Sequence, residues 1–309
     1  MFPEIRGIID QERRRGNKAG QFLFLGSASA DLLQQSGESL AGRIAYLELN
    51  PVDVLEYGTG KPEKQNQLWL RGGFPESLLA GSNADSLAWR HDFIRTYLER
   101  DIPKWGPRVP ASTLNRLWTM LAHSQGSVLN ASNLARGLDL SSTSIIRYLD
   151  LMTDLLLLRR LQPFASNTGK RLVRSPKVYV RDSGITHALL NISGYNELLG
   201  HPVVGGSWEG FVIENILSVL PTAIRPYFYR TADGAEIDLV LEFPNRETWA
   251  IEIKRNSVPS LSKGFHIACD DIDAKKRYVV YSGKDSFPME NGVRAVSLTG
   301  CMEEVAKAG

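Results

Sequence analysis

Asp238 is followed, after thirteen residues, by Glu252-Ile253-Lys254, a spacing of acids and lysine that suits phosphoryl-transfer chemistry. Alternate side chains of an extended strand share a face. Glu252 and Lys254 therefore point one way while Ile251 and Ile253 point the other, and Asp238 lies opposite Ile237 and Leu239. A short polar turn around Asn245-Arg246 separates the two runs, so an antiparallel hairpin sets Asp238 beside Glu252 and Lys254. Two carboxylates and the intervening carbonyl make an oxygen site for Mg²⁺ or Mn²⁺. A lysine beside them positions or activates a water, or stabilises charge on a phosphorane. Upstream, an amphipathic helix over 208–220 offers Glu209 and Glu214 as a further acid, and their spacing does not put both on one face.

The elements that must hold these residues change character along the chain. The opening reads helix, strand, helix, strand. Ile5, Ile8 and Ile9 share a helical face, Phe22-Leu23-Phe24-Leu25 is a short buried strand, 30–35 a helix and 44–49 a second strand. That alternation predicts α/β wrapping. Residues 59–67 are polar, contain Gly60 and Pro62, and read as a linker. Helices follow over 86–102 and 113–123. Then come a short helix (131–137), a turn, a second helix (142–151) and a strand (155–161), the outline of a winged helix-turn-helix. The last third supplies strands over 236–242, 249–254, 277–281 and 293–298 and a closing helix over 301–307.

The exit of the winged-helix outline is basic. Arg159, Arg160, Lys170, Arg171, Arg174, Lys177 and Arg181 occur with no acidic residue among them, and Arg147 lies on the preceding helix. Such a block predicts either a phosphate-binding stripe or a solvated wing.

Composition bounds the rest. In 309 residues, 43% are hydrophobic and 23% charged, as in a folded chain. Thirty-six basic against 34 acidic side chains leave +2, so overall charge names no partner. Two cysteines make no disulfide framework, and no apolar run approaches the roughly 20 residues of a membrane span. A cytoplasmic, multi-domain protein with no membrane partner is expected. The five histidines show no metal-ligand spacing.

The acid pair with Glu-x-Lys, on strands that follow a glutamate-bearing helix, resembles the PD-(D/E)XK nuclease superfamily over roughly 177–281. A wider resemblance runs almost end to end. Phe22-Leu23-Phe24-Leu25-Gly26-Ser27, Glu38-Ser39-Leu40-Ala41-Gly42-Arg43, Gly72-Gly73-Phe74-Pro75-Glu76, Tyr97-Leu98-Glu99-Arg100-Asp101-Ile102 and Gly206-Ser207-Trp208-Glu209-Gly210 look like signatures of a bacterial and archaeal AAA-type ATPase family whose C-terminal domain has no assigned function. The resemblance implies that Ser27 occupies a γ-phosphate-sensing position, that Arg43 reaches nucleotide, that the family acts on nucleic acid, and that members self-associate as rings.

The fold expected is thus α/β and multi-domain: a partial AAA-type segment (1–58), a linker and helical region (59–125), a winged helix (126–170) and a PD-(D/E)XK nuclease-like domain (171–309). The chain is expected to begin after the phosphate loop. Gly58-Thr59-Gly60-Lys61-Pro62 places proline where Ser or Thr is needed, and Ser282-Gly283-Lys284-Asp285 lacks the leading glycine. ATP is then a ligand only of a complete family member, and autonomous ATP hydrolysis is not expected. Three readings of function stand: a metal-dependent nuclease using Asp238, Glu252 and Lys254; a nucleic-acid-binding module that does not cleave; and a protein-contact module regulated by nucleotide.

Overall fold

The computed structural model describes residues 2–25, 42–45, 47–58, 61–102, 109–165 and 170–308. Helix α1 (Phe2–Arg14) buries Ile9 against Ile5 and Ile44, and Arg43 reaches back to Asp10 in a two-pronged ion pair at 2.7 and 3.1 Å. The two apolar runs expected as strands do not form them among the described residues. Leu23 and Leu25 are 76% and 85% exposed, and Leu47 and Leu49 are 89% and 94% exposed. A strand exists only by hydrogen bonding in a ladder to a neighbour, and among the described residues neither run is part of such a ladder. The expected helix over 30–35 and Ser27 lie outside the described residues.

Residues 50–57 dock onto the rest of the molecule. Val52 N–H donates to Gly73 O, Val54 N–H to the Asn215 side chain, and Ser218 Oγ–H to Asp53. Residues 62–67 of the expected linker are in fact the start of α2 (Pro62–Arg71). Proline at the first helical position surrenders an N–H that had no helical partner there anyway, so Pro62 starts this helix instead of breaking the chain. Short α3 (Pro75–Leu78) and α4 (Asn83–Thr96) follow, the latter capped by Ser82 and running on into a π-turn, Tyr97–Asp101.

Next comes helix α5 (Ala111–His123), then β1 (Ser127–Val128), α6 (Ala131–Leu138), α7 (Ser142–Asp154), β2 (Leu158–Leu161) and β3 (Lys177–Val180). Side-chain caps set the two short helices: Asn130 accepts from Asn133 N–H and Ser141 from Ser144 N–H, while Asp139 closes α6 in the left-handed region. The strands pair antiparallel in the order β1-β3-β2. Strand β2 begins at Leu158 instead of 155, because Leu155 ends α7 and Leu156 turns the chain with φ 59°.

Beyond β3 lie α8 (Ser183–Leu189), α9 (Tyr195–Gly200) and α10 (Val204–Ser218). Then come β4 (Arg225–Arg230), β5 (Glu236–Glu242), β6 (Thr248–Ile253), α11 (Lys263–Asp271), β7 (Lys276–Tyr281), β8 (Phe287–Pro288), β9 (Val293–Ser297) and α12 (Leu298–Ala306). The second sheet runs β4-β5-β6-β7-β9-β8. Its first three strands form an antiparallel meander, β6, β7 and β9 are parallel, and β8 returns antiparallel at the edge. The described residues are therefore mixed α/β with two sheets.

Strand β3 lies at the junction and is buried throughout. Val178 and Val180 enter the core built by α5, α6 and α7, while Tyr179 enters the core shared by α10 and the six-stranded sheet. Period-two alternation thus sends Lys177 and Tyr179 toward α10.

Candidate active site

The hairpin expected from sequence is present. Leu239 pairs with Ile251 and Leu241 with Trp249, a register that brings Asp238 level with Glu252. On its other side β5 is irregular: from Tyr227 to Tyr229 on β4 is two steps, but their partners Val240 and Ile237 are three apart. One extra residue therefore sits on β5 at Asp238-Leu239. This breaks the expected alternation, for Ile237 and Leu239 enter different cores. A bulge of this kind re-aims a side chain. Asp238 Oδ2 accepts from the Ile253 N–H at 2.9 Å, which ties the acid to the strand carrying Glu252 and Lys254.

Lys254 Nζ donates to Glu252 Oε1 at 2.7 Å, while Glu252 Oε2 is buried without a partner. Burial pushes the Glu252 carboxyl up to about 8, with the Asp238 charge adding to the rise. Glu209 of α10 is pushed up to about 7 by burial and then by Asp238, against the pull of Lys177. Tyr179 O–H donates to Glu209 Oε1 at 2.6 Å. Lys254 is itself raised: burial acts to lower it, but the Glu252 charge and hydrogen bond outweigh that.

Lys177 is the residue that sequence reasoning placed elsewhere. Expected on an outward phosphate-binding stripe, it is 3% exposed, and its ammonium lies 2.9 Å from Glu209, 2.8 Å from Glu236 and 3.5 Å from Asp238. A buried ammonium is sustained only by such partners, and they hold its pKa above the ordinary lysine value despite the opposing effect of burial. The available signal was the string Lys177-Val178-Tyr179-Val180, an apolar strand in which a lysine must find carboxylates. Glu236 was likewise missed, although it alternates with Asp238.

Glu214 does not join this group. It takes two bonds from Arg159, at 2.6 and 2.8 Å, and one from Arg181 at 2.9 Å, and Arg181 also reaches Glu48 and Asn50. Burial works against the Glu214 carboxylate, but the two guanidiniums hold it below its ordinary value. The basic stripe is accordingly drawn inward at Arg159, Lys177 and Arg181, while Arg160 pairs with Asp150 and Lys170 with Asp271. Arg147, Arg171 and Arg174 remain exposed, with no ion pair among the described residues.

Residues 204–301 match a family model described as Domain of unknown function (DUF4143). Residues 62–196 match a second, Domain of unknown function (DUF8612). Glu209, Asp238, Glu252 and Lys254 fall in the DUF4143 region, and Lys177 in the DUF8612 region, so the site is assembled across both. Two mycobacterial proteins are similar to nearly the whole chain: Uncharacterized protein Mb2031c of Mycobacterium bovis and Uncharacterized protein Rv2008c of Mycobacterium tuberculosis. Each is 44% identical over 297 residues, 96% of this chain and 65% of the relative's length. The chain thus spans about two thirds of these relatives. No solved structure matches it.

The fit to a metal ion is decided by the oxygens. Among the described residues no group of three His, Cys, Asp or Glu side chains is arranged to hold one, and Lys177 engages Glu209 and Glu236 at 2.9 and 2.8 Å. Asp238 and the orphaned Glu252 Oε2 remain. One or two carboxylates with retained waters suffice for Mg²⁺, so these two residues fit a hydrated Mg²⁺ or Mn²⁺. Among the described residues, no helix is long and apolar enough to cross a membrane.

Proposed function

We propose that the chain acts on nucleic acid and that its C-terminal unit is a metal-dependent phosphodiesterase of the PD-(D/E)XK kind. The observation that carries this reading is the placement of Asp238 and Glu252-Ile253-Lys254 on adjacent antiparallel strands behind the Glu209 helix, with Asp238 hydrogen bonded to the Ile253 backbone. Asp238 and Glu252 would hold the ion. When bound, Mg²⁺ or Mn²⁺ polarises a phosphoryl oxygen and acidifies a water. The protein's own contribution follows from its charges. Lys254 is kept cationic by Glu252, so it acts as a donor that orients the attacking water or meets charge developing on the phosphorane, and not as a base. Arg147 on α7, with Arg171 and Arg174 on the β2–β3 connection, is an exposed cationic set suited to backbone phosphates.

One observation favours a second reading, that of a non-cleaving nucleic-acid module: Lys177 and Lys254 already neutralise part of the carboxylate group. Incubation with single- and double-stranded DNA in Mg²⁺, Mn²⁺ or EDTA separates the two. Cleavage that requires metal and is lost in Asp238→Asn and Lys254→Ala supports the nuclease. Salt-sensitive binding without cleavage would leave the binding module.

A further inference from the structure

We infer that Arg171 and Arg174 work as part of the carboxylate site: the leg that carries them is bonded to the outer edge of β4, and they hold phosphates of a DNA strand within about three nucleotides of the one that meets Asp238 and Glu252. This rests on the proposed reading of the site as one for phosphodiesters, and goes further by fixing where along the strand the arginines act.

Strand β4 is the edge of the six-stranded sheet, with β5 on its inner side. An edge strand presents N–H and C=O groups to any chain that reaches it. Here both described legs of the β2–β3 connection take them up. Phe228 N–H donates to Gln162 O at 3.0 Å, and Phe164 N–H to Phe228 O at 2.7 Å. On the return leg, Val173 N–H donates to Arg230 O at 3.0 Å and Ala232 N–H to Arg171 O at 2.9 Å, around an antiparallel bridge of Leu172 with Thr231. Lys170 ties the same leg to Asp271 of α11. The connection in the place of a winged helix's wing is thus stitched to the other sheet.

The return leg then runs into the site. Arg230 pairs with Glu236 across β4 and β5, and its guanidinium lies 3.6 Å from the Glu236 carboxylate. Glu236 also takes Lys177 at 2.8 Å, and Lys177 reaches Asp238 at 3.5 Å. Arg174 precedes Lys177 by three residues, a backbone separation of at most about 11 Å. Phosphates along one strand of a duplex rise about 3.4 Å each, so that separation is roughly three nucleotides. Arg171 and Arg174 are exposed with no ion pair among the described residues, whereas the buried Lys177 is engaged by carboxylates. Arg147 stands apart. On α7, Ile145 and Leu149 enter the core that also receives Val178 and Val180, and the exposed Arg147 lies about half a turn away. Lys177 leaves the opposite face of β3. That core and the width of α7, about 10 Å, therefore separate Arg147 from the carboxylates.

The test is fluorescence anisotropy of a labelled single-stranded DNA of about six nucleotides, a span of roughly 20 Å. It is read with the full chain at low salt in EDTA, where the proposed cleavage cannot run. Compared are wild type, Arg171→Ala with Arg174→Ala, Arg147→Ala and Lys254→Ala. The double variant is expected to bind this short strand more weakly, with the slope of log K against log salt smaller by about 1.4. Lys254→Ala is expected to weaken the same complex, and Arg147→Ala to leave it unchanged. Should Lys254→Ala not accumulate as folded protein, Lys254→Gln replaces it, since glutamine keeps a donor for Glu252. An affinity indifferent to Arg171 and Arg174, or to Lys254, overturns the inference. So does a loss in Arg147→Ala equal to that of the double variant, or no measurable binding by wild type. Expected losses in binding, with no cleavage by wild type in Mg²⁺ or Mn²⁺, would sink the nuclease reading and leave the strand path intact. Metal-dependent cleavage with short-strand binding indifferent to Arg171 and Arg174 would keep the nuclease and remove the path.

Discussion

Lys254 holds one oxygen of Glu252 at 2.7 Å and leaves the other buried and unpartnered. The pair is therefore asymmetric. Removing the lysine strands a buried carboxylate, whereas neutralising the acid relieves one. Lys254→Ala is expected to lower stability by about 1–2 kcal/mol, allowing for the partial exposure of the lysine, and Glu252→Gln to change it by less. Urea denaturation of the two variants checks the order, and a larger loss in Glu252→Gln would contradict it.

Glu214 shares its carboxylate between two arginines, Arg159 and Arg181, the second of which is buried. Glu214→Ala leaves both guanidiniums without that anion and should cost roughly 3–5 kcal/mol. The guanidiniums depress the Glu214 pKa, although burial opposes them. A depressed carboxyl contributes stability that is full above its unfolded pKa and is lost as pH falls through the folded one. The wild type should therefore lose stability on acidification below the ordinary Glu value of 4.5, and Glu214→Gln should show a shallower loss. Thermal melts from pH 6 downward read both.

His187 is fully buried, and its pKa is pushed down to about 3 by burial, with a further lowering from Arg90 opposed by its bond to Leu70 O. Nδ1–H donates to the Leu70 carbonyl at 2.9 Å, so Nε2 accepts from Ser207 Oγ–H at 2.7 Å, and Ser207 Oγ in turn accepts from Trp69 Nε1–H. This neutral tautomer ties Ser207 of the Gly206-Ser207-Trp208-Glu209 string to α2 and α8. Unfolded chains bind a proton near pH 6.5 and the folded one does not, so stability is full above 6.5 and falls as pH drops toward 3. The loss is on the order of 4 kcal/mol over that window. His187→Asn should flatten the dependence between pH 4 and 6.5, and an unchanged slope would remove His187 as its source.

Gly72 has φ 79°, and a Cβ there would meet Asp182 Oδ1 at 2.1 Å. The same Asp182 carboxylate accepts from Gly73 N–H and from Ile185 N–H, capping α8. Gly72→Ala is expected to cost at least about 2 kcal/mol through backbone strain and loss of that cap. Gly194, which has open space around it, is the control, and Gly194→Ala should be far milder. Chemical denaturation of the two compares them.

Arg171 and Arg174 are exposed and make no ion pair among the described residues. If they meet phosphates, Arg171→Glu with Arg174→Glu should weaken DNA binding similarly across sequences. The slope of log K against log salt should fall by about 2. Arg159→Ala should act mainly on stability, since its partner is Glu214. Fluorescence anisotropy at several salt concentrations separates the cases.

Local periodicity determined much of this protein by itself. The helix–turn–helix over α6 and α7, the β5–β6 hairpin, the positions of strands β7 and β9, and the meeting of Asp238 with Glu252 and Lys254 follow from spacings of two and 3.6 residues and from capping side chains, all short-range properties. The tertiary structure decided the direction of every charged side chain whose partner lies far along the chain. Lys177 and Arg181 belong to one basic run, yet the first turns into the carboxylates of α10 and β5 and the second onto Glu214. A burial choice of this kind depends on which surfaces close over a strand, and no spacing within the run encodes it. The same reason separates Phe22–Leu25 from Tyr278–Val280. Both are apolar runs, but strand pairing is a long-range bond, and among the described residues it is the second that lies in a ladder, between β6 and β9.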